Sequence, residues 1–426
     1  MKYIWLLVLL CFITNNHAQS TIQDTPEKAI DSTNKSEFLD YIVNGYLPTK
    51  YFLFDLRYLL KYNQYETFRT GLGGITTNAF SNKIRVNGYA VYGLGDEEFK
   101  YSVGGGFRLS QKTNTWLSYK YTSDLEESGS NNFSTDKRFF QFIEPRLFNI
   151  SLFHRNISHT ISIEHQLAKT LLSDFEMSVN NIEPTYKYIF SPNAQDSYRS
   201  FELSLLKATL QWNPFSVFRP LNNVIVEEKE GFPKFTLQFT KSFKDVLGGD
   251  LNFSKLDFRI VQQFNYSGDA SSQLVFTSGF ADGDVPITHT YHAYPNSVNK
   301  ETILQRFTIA GINSFETMYF NEFFSDKLIT VRFKHNFKSF NISPRFKPQL
   351  ALLSKFAVGN MRDPEQHEFI NFNTLDQGYF ESGLEINRIL LGFGLSFAYR
   401  YGYYHLPNFE DNISFKFTFS PNIKKR

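Results

Sequence analysis

The sequence predicts an all-β fold: a transmembrane antiparallel β-barrel of about sixteen strands. Three observations predict it. The chain begins with an export-like segment; it holds 47 Phe and 24 Tyr, so aromatics make up 17% of it, yet its mean hydropathy is only -0.32; and from Thr67 onward apolar residues recur with a period of two. Aromatics on one face of each strand and polar residues on the other reconcile the second observation with the third, because a window average mixes the two faces.

The start, MKYIWLLVLLCFITNNHAQS, has Lys2, an apolar run from Ile4 to Ile13 and Ala18 before Gln19. A charged start, a run too short to cross a bilayer and a small residue before the cut read as a secretory signal over residues 1–18. Cys11, the single cysteine, leaves with it, and bulky Leu10 before it does not suit lipoprotein cleavage. The mature chain is therefore expected to lack disulfides and thiol chemistry. The net charge of +2 gives no reason to expect nucleic acid as a partner. After the signal no run of about 18 apolar residues occurs, which excludes helical spans.

Residues 19–64 read as a short periplasmic leader, polar at first, ending in a mixed segment that contains a lead-in strand. Residues 65–421 read as the barrel and 422–426 as a basic tail. In 99–110 the odd positions are Phe99, Tyr101, Val103, Gly105, Phe107 and Leu109, and the even ones Lys100, Ser102, Gly104, Gly106, Arg108 and Ser110. That is a two-faced strand. The same pattern recurs in Ile161/Ile163/Leu167, Phe235/Leu237/Phe239, Leu256/Phe258/Ile260, Ile329/Val331/Phe333 and Ile413/Phe415/Phe417/Phe419. In 201–212 the apolar phase flips between Leu205 and Leu206, the mark of a bulge. In 379–404, Leu391, Phe393, Leu395, Phe397, Tyr399 and Tyr401 are expected to face lipid, with Gly392, Gly394, Ser396, Ala398 and Arg400 facing water. Asn387 and Arg388 read as the turn between two strands, and Tyr401, Tyr403 and Tyr404 as part of an interfacial girdle. A soluble sandwich also alternates, but with strands nearer five or six residues and its aromatics inside.

Five strands follow the long segment 283–326 and about eleven precede it, an order that resembles sixteen-stranded BamA-type barrels, in which the long loop between strands 11 and 12 folds back into the lumen. YETFRTGLGGITTNAFSNKIRVNGYAVYGLGDEEFKY (65–101), NSFETMYFNEFFSDKLITVRFKHNF (313–337), and GYFESGLEINRIL with FAYRYGYYHLPNFEDNISFKFTFS (within 378–420) resemble a Gram-negative outer-membrane family of unknown function. Its longer members carry an N-terminal carboxypeptidase-regulatory-like domain. From this start the chain leaves no room for that domain or for POTRA modules. In place of the Val-Arg-Gly-Phe/Tyr loop signature of assembly barrels stands AGINSFET. The resemblance implies outer-membrane localisation, lipid and lipopolysaccharide as surroundings, and other envelope proteins as partners.

Two readings fit 313–326. With Asn313, Ser314, Phe315, Met318, Glu322, Phe323 and Asp326, it is either a loop tucked into the lumen, its acids on lumen arginines and its aromatics in the pore, or a strand entry with a solvated acidic edge. The first avoids exposing clustered phenylalanines. On the inward faces of the last strands, Arg332, Lys334, Arg345, Lys347, Lys355, Arg400 and Lys416 outnumber Glu381 and Glu385. They form either an attractor for anions or a salt-bridge lattice. Gly71, Gly73 and Gly74 make a sparsely packed strand that, closed against the strand carrying Phe415 and Phe417, would form a weak seam, unless they simply make room for large neighbours. His289 and His292 lack a third ligand, and no metal, cofactor or catalytic residue is expected. The resulting expectation is a non-enzymatic barrel that acts as scaffold or accessory in envelope biogenesis or transport. The alternatives are a passive channel for small, anionic solutes and a rim-sited hydrolase.

Overall fold

A computed structural model describes residues 38, 41–42, 44–138, 145–298, 308–311, 313–343, 346–390 and 392–419. The signal segment 1–18, the tail 422–426, Arg345 and Leu391 lie outside the described residues. The chain divides into two units, Met1–Ile42 and Val43–Arg426; in the first, Phe38, Tyr41 and Ile42 are helical.

The second unit is built on one large sheet of consecutive antiparallel strands. We number its staves β1 (Phe52–Asp55 and Leu60–Asn63), β2 (Thr67–Thr76), β3 (Ile84–Gly93), β4 (Phe99–Ser110), β5 (Thr115–Glu127), β6 (Phe153–Ala168), β7 (Leu171–Pro184) and β8 (Phe201–Trp212). They continue as β9 (Lys234–Phe243), β10 (Phe253–Asn265), β11 (Ser271–Gly283), β12 (Lys327–Asn336), β13 (Gln349–Asn360), β14 (Tyr379–Leu390), β15 (Phe393–Tyr401) and β16 (Ile413–Phe419). Each pairs with the next. The long connection 284–326 lies between β11 and β12.

The barrel thus starts before residue 65. β1 escaped the alternation because a 3-10 turn, Leu56–Tyr58, interrupts it. Asp55 causes the interruption: its carboxylate accepts from the Arg57 amide at 3.0 Å and from the Arg57 guanidinium at 2.8 Å, a local bond that competes with the ladder. Both halves nevertheless pair with β2.

This placement corrects the seam. Gly71, Gly73 and Gly74 lie on the second strand, not the closing one, and among the described residues no ladder joins the first strand to the last. The outer edge of β1 carries a short strand, Tyr46–Pro48. The outer edge of β16 carries 308–310, where Ala310 donates to the Phe417 carbonyl at 2.7 Å and Phe417 to the Thr308 carbonyl at 2.9 Å. Phe415 and Phe417 point outward, 41% and 43% exposed. The glycines make room: a Cβ on Gly74 would lie 2.0 Å from the Leu53 carbonyl, and one on Gly73 would meet Tyr58 and Tyr89, whose rings stack at 4.3 Å.

The faces separate as a membrane requires. Phe99 and Val103 are 70% and 62% exposed whereas Lys100 and Ser102 are buried, the reverse of a soluble sandwich. On β15, Phe393, Phe397 and Tyr401 are outward and Gly394, Ser396, Ala398 and Arg400 inward. Two local expectations change. Asn387 and Arg388 sit in a register shift of β14, Arg388 at φ +59°, and the strand runs on past them to Leu390. Tyr404 belongs to the interior, its hydroxyl donating to the Thr374 carbonyl at 2.7 Å.

There is no bulge in β8 either, since its register with β7 is unbroken from Phe201 to Trp212. The apolar phase flips because the inside of the barrel changes character along its length. At the long-loop end, inward Phe201 and Leu203 join Phe253, Leu328 and Tyr379 and the loop residues Ile287, Tyr291, Phe315, Phe323 and Phe324 in one buried cluster. Further along β8 the inward residues are polar, with Thr209 and Gln211 buried.

Candidate functional site

Alternation brings Lys355 on β13, Glu381 on β14, Arg400 on β15 and Lys416 on β16 to the inner wall. Against them lies a short strand of the long connection, Phe315–Tyr319, paired in parallel with Pro295–Ser297. Glu316 meets Lys416 at 2.9 Å and also accepts from Ser314, Asn296 and the Gly311 amide at 2.7, 2.9 and 3.1 Å. Lys416 donates as well to the Glu316 carbonyl at 3.0 Å and to the Asn296 carbonyl. Burial alone would raise the Glu316 carboxyl, but Lys416 and Lys355 hold it below the usual range.

Next to it, Glu381 takes Lys355 at 2.8 Å on one oxygen and the Thr317 amide and hydroxyl at 2.7 and 2.6 Å on the other. Lys355 reaches the Ser314 carbonyl at 2.6 Å. Glu322 forks onto Arg400 at 2.6 and 3.1 Å, with the guanidinium 4.8 Å from the Tyr379 ring. Lys334 meets Glu385 at 2.6 Å. Ions withdrawn from water are tolerable here because each finds a partner of opposite sign with further hydrogen bonds. Phe315, Met318 and Phe323 are buried beside them.

Two expected members stand elsewhere. Lys347 is exposed in the β12–β13 connection, because the period-two count runs past the end of the strand. Asp326 meets no lumen arginine; its carboxylate accepts from the Arg362 amide at 3.0 Å at the rim.

Two further fillings were not read from the sequence. Residues 128–138 and 145–152 enter from the long-loop end: Asp136 forks onto Arg259 of β10 at 2.5 and 2.9 Å, Ser134 donates to Glu176 of β7 at 3.0 Å, and Arg146 bonds Glu127 and the Pro295 carbonyl. From the opposite end a hairpin, Val217–Leu221 with Val224–Lys229, leaves β8 and reaches across to the far wall. There Asn223 donates to the Thr76 carbonyl at 2.6 Å and accepts from Arg108 at 3.2 Å. Its signal is present in the sequence, since Asn222-Asn223 between short apolar runs is a hairpin turn.

Over the long-loop end, Ile189–Phe190 pairs with His367–Glu368, and Tyr188 and His367 share a hydrogen bond of 2.8 Å. Burial pushes the His367 imidazole down to about 4. A folded value below the ordinary 6.5 means the clasp is fully stable above 6.5 and loses up to about 3 kcal/mol as pH falls toward 4. Amide exchange in 188–190 and 367–368 is expected to accelerate between pH 7 and 4 ahead of the sheet, and His367→Gln to remove that pH dependence. His289 and His292 point to different partners, Thr288 and Glu127.

The fold is similar to that of BamA from Haemophilus ducreyi lacking POTRA domains 1–3, with a TM-score of 0.52 at 8% identity, covering 84% of this chain and 68% of that one. CdiB from Acinetobacter baumannii matches at a TM-score of 0.41 and 10% identity over 83% of this chain and 56% of its own. Wzi, an outer-membrane carbohydrate-binding barrel of Escherichia coli, matches at 0.29 and 8% over 89% and 85%. No family model and no curated protein sequence matches. The chain therefore has the fold of a BamA-type β-barrel. In outer-membrane barrels short turns face the periplasm and long loops the exterior; here the hairpin 217–229 lies at the short-turn end and 284–326 at the long-loop end.

Proposed function

We propose that this chain, exported through a cleaved signal peptide, is a non-enzymatic barrel that works as a scaffold or accessory in envelope biogenesis or transport, and belongs with the outer-membrane family that its three quoted stretches resemble. The observation that carries the reading is the lumen filled from both ends: a buried ion lattice pins the long loop to four consecutive strands, and a hairpin spans the periplasmic mouth. A conducting pore needs that space open. A hydrolase needs an accessible nucleophile, whereas Ser128, 3.1 Å from His154, is 1% exposed and already accepts from Tyr186.

In planar bilayers the intact protein is expected to give no stable conductance steps, and deletion of 313–320 to produce them. Stable steps from the intact chain would return the reading to a passive channel. For the scaffold itself, a photocrosslinker at exposed Leu47 or Tyr51, at the outer edge of β1, should capture envelope proteins in cells; capture of lipid alone counts against it.

A further inference from the structure

Arg332 stands outside the lattice formed by the last five strands. Arg332 is 6% exposed at the middle of β12, and its Nε and Nη2 donate to no acceptor among the described residues. The neighbouring acids are committed: Glu381 to Lys355 and Thr317, Glu385 to Lys334 and Asn387. The other buried arginines nearby, Arg146 and Arg259, have Glu127 and Asp136. Only ring faces approach Arg332, Tyr294 at 5.5 Å and Phe315 at 5.7 Å, and these offset part of the desolvation of a cation. A guanidinium cannot escape by losing its proton.

Arg332 borders a cavity of about 240 Å³, below the usual range for drug-sized ligands and suited to a small group. Lys334, Lys355 and Arg388 also line it, with the amides of Gln263, Gln273 and Gln349, and no carboxylate does. The cavity extends toward the periplasmic ends of β13 and β14, where Gln349 and Arg388 stand. The three further cations are paired with Glu385, Glu381 and Asp269, so the planar fork of Arg332 and the ring of amides are what complement an oxyanion held bidentately.

We propose that this chamber is a binding site for a phosphoryl group entering from the periplasmic side, with Arg332 as its principal ligand. The site is independent of the scaffold role and needs no conducting pore.

The test uses the purified full barrel in non-ionic detergent, titrated with inorganic phosphate at an ionic strength held constant with chloride and read by calorimetry and melting temperature. Glycerol phosphate, and nanodiscs with and without phosphatidylglycerol, form the other arms. Saturable, stabilising binding is expected, and Arg332→Gln should weaken it at least about tenfold. Val275 lies directly across from Arg332 in the β11–β12 ladder, so Val275→Glu supplies the missing anion internally; it should abolish the phosphate response even if Arg332→Gln fails to fold. Heat-modifiable migration reports folding of each variant. Saturation by phosphate or glycerol phosphate identifies a soluble ligand, and a response confined to phosphatidylglycerol nanodiscs identifies a lipid headgroup. A response no larger than that to chloride in every arm, or one undiminished in Val275→Glu, overturns the site.

Discussion

Lys416→Met is expected to cost about 3–5 kcal/mol, the usual penalty for leaving one member of a buried ion pair alone. Lys416 and Glu316 are each 2% exposed or less, so water cannot replace the lost partner. The lysine also holds two loop carbonyls, those of Asn296 and Glu316, and its removal frees both arms of the parallel pair from the wall. The first consequence is local: the loop 284–326 becomes a protease target in intact cells or nanodiscs while the sheet persists. The second is functional, since a loop released from β16 uncovers the lumen and conductance appears. The double variant Lys416→Met with Glu316→Gln should regain most of the stability, because a neutral amide is far cheaper to bury than a carboxylate. Urea unfolding of the folded barrel in detergent measures both. Equal stability of Lys416→Met and the native protein would show that the pair does not anchor the loop.

The parts of the barrel that were legible in the sequence are those where water and lipid alternate along an uninterrupted strand. β4 could be read residue by residue because its inward Lys100 and Ser102 meet polar partners, Glu66 and Asp96 for the lysine and Thr122 for the serine. β8 misled for the opposite reason: Phe201 and Leu203 face inward onto other apolar groups, so a change in the contents of the lumen imitates a change in backbone phase. β1 was hidden by a three-residue turn set by Asp55 and Arg57, a side-chain event with no period. Within the site, Arg400, Glu381 and Lys355 could be named as lumen charges from alternation, and Glu322 as a loop acid for a lumen arginine. Which arginine it meets, and the pairing of Glu381 with Lys355, could not, because they depend on how deep the loop descends and on strand register. Lys347 shows the limit of the same counting, since alternation carries no information about where a strand ends.

Trp116→Ala is expected to be comparably severe, about 3–5 kcal/mol for emptying a large buried aromatic site. Trp116 is fully buried on the inner face of β5, with the guanidinium groups of Arg85 at 4.5 Å and Arg108 at 4.4 Å over its ring. Two like charges share one ring, each attracted to its quadrupole. Arg85 is further neutralised by Glu164 at 2.9 Å, whereas Arg108 has only the Asn223 side chain at 3.2 Å beyond the ring. Losing the indole therefore unbalances Arg108 most, and through it the periplasmic hairpin, whose Asn223 also ties to β2 at Thr76. Beyond a lower urea midpoint, new cleavage within 217–229 is expected when protease is supplied from the periplasmic side. Trp212→Ala is the matched control: that indole is 48% exposed on the outer face of β8, touches neither arginine, and should leave the hairpin protected. Equal protection of the hairpin in both variants would mean that the floor is held by Asn223 and its backbone bonds alone, and that the arginine–tryptophan stack serves only the wall.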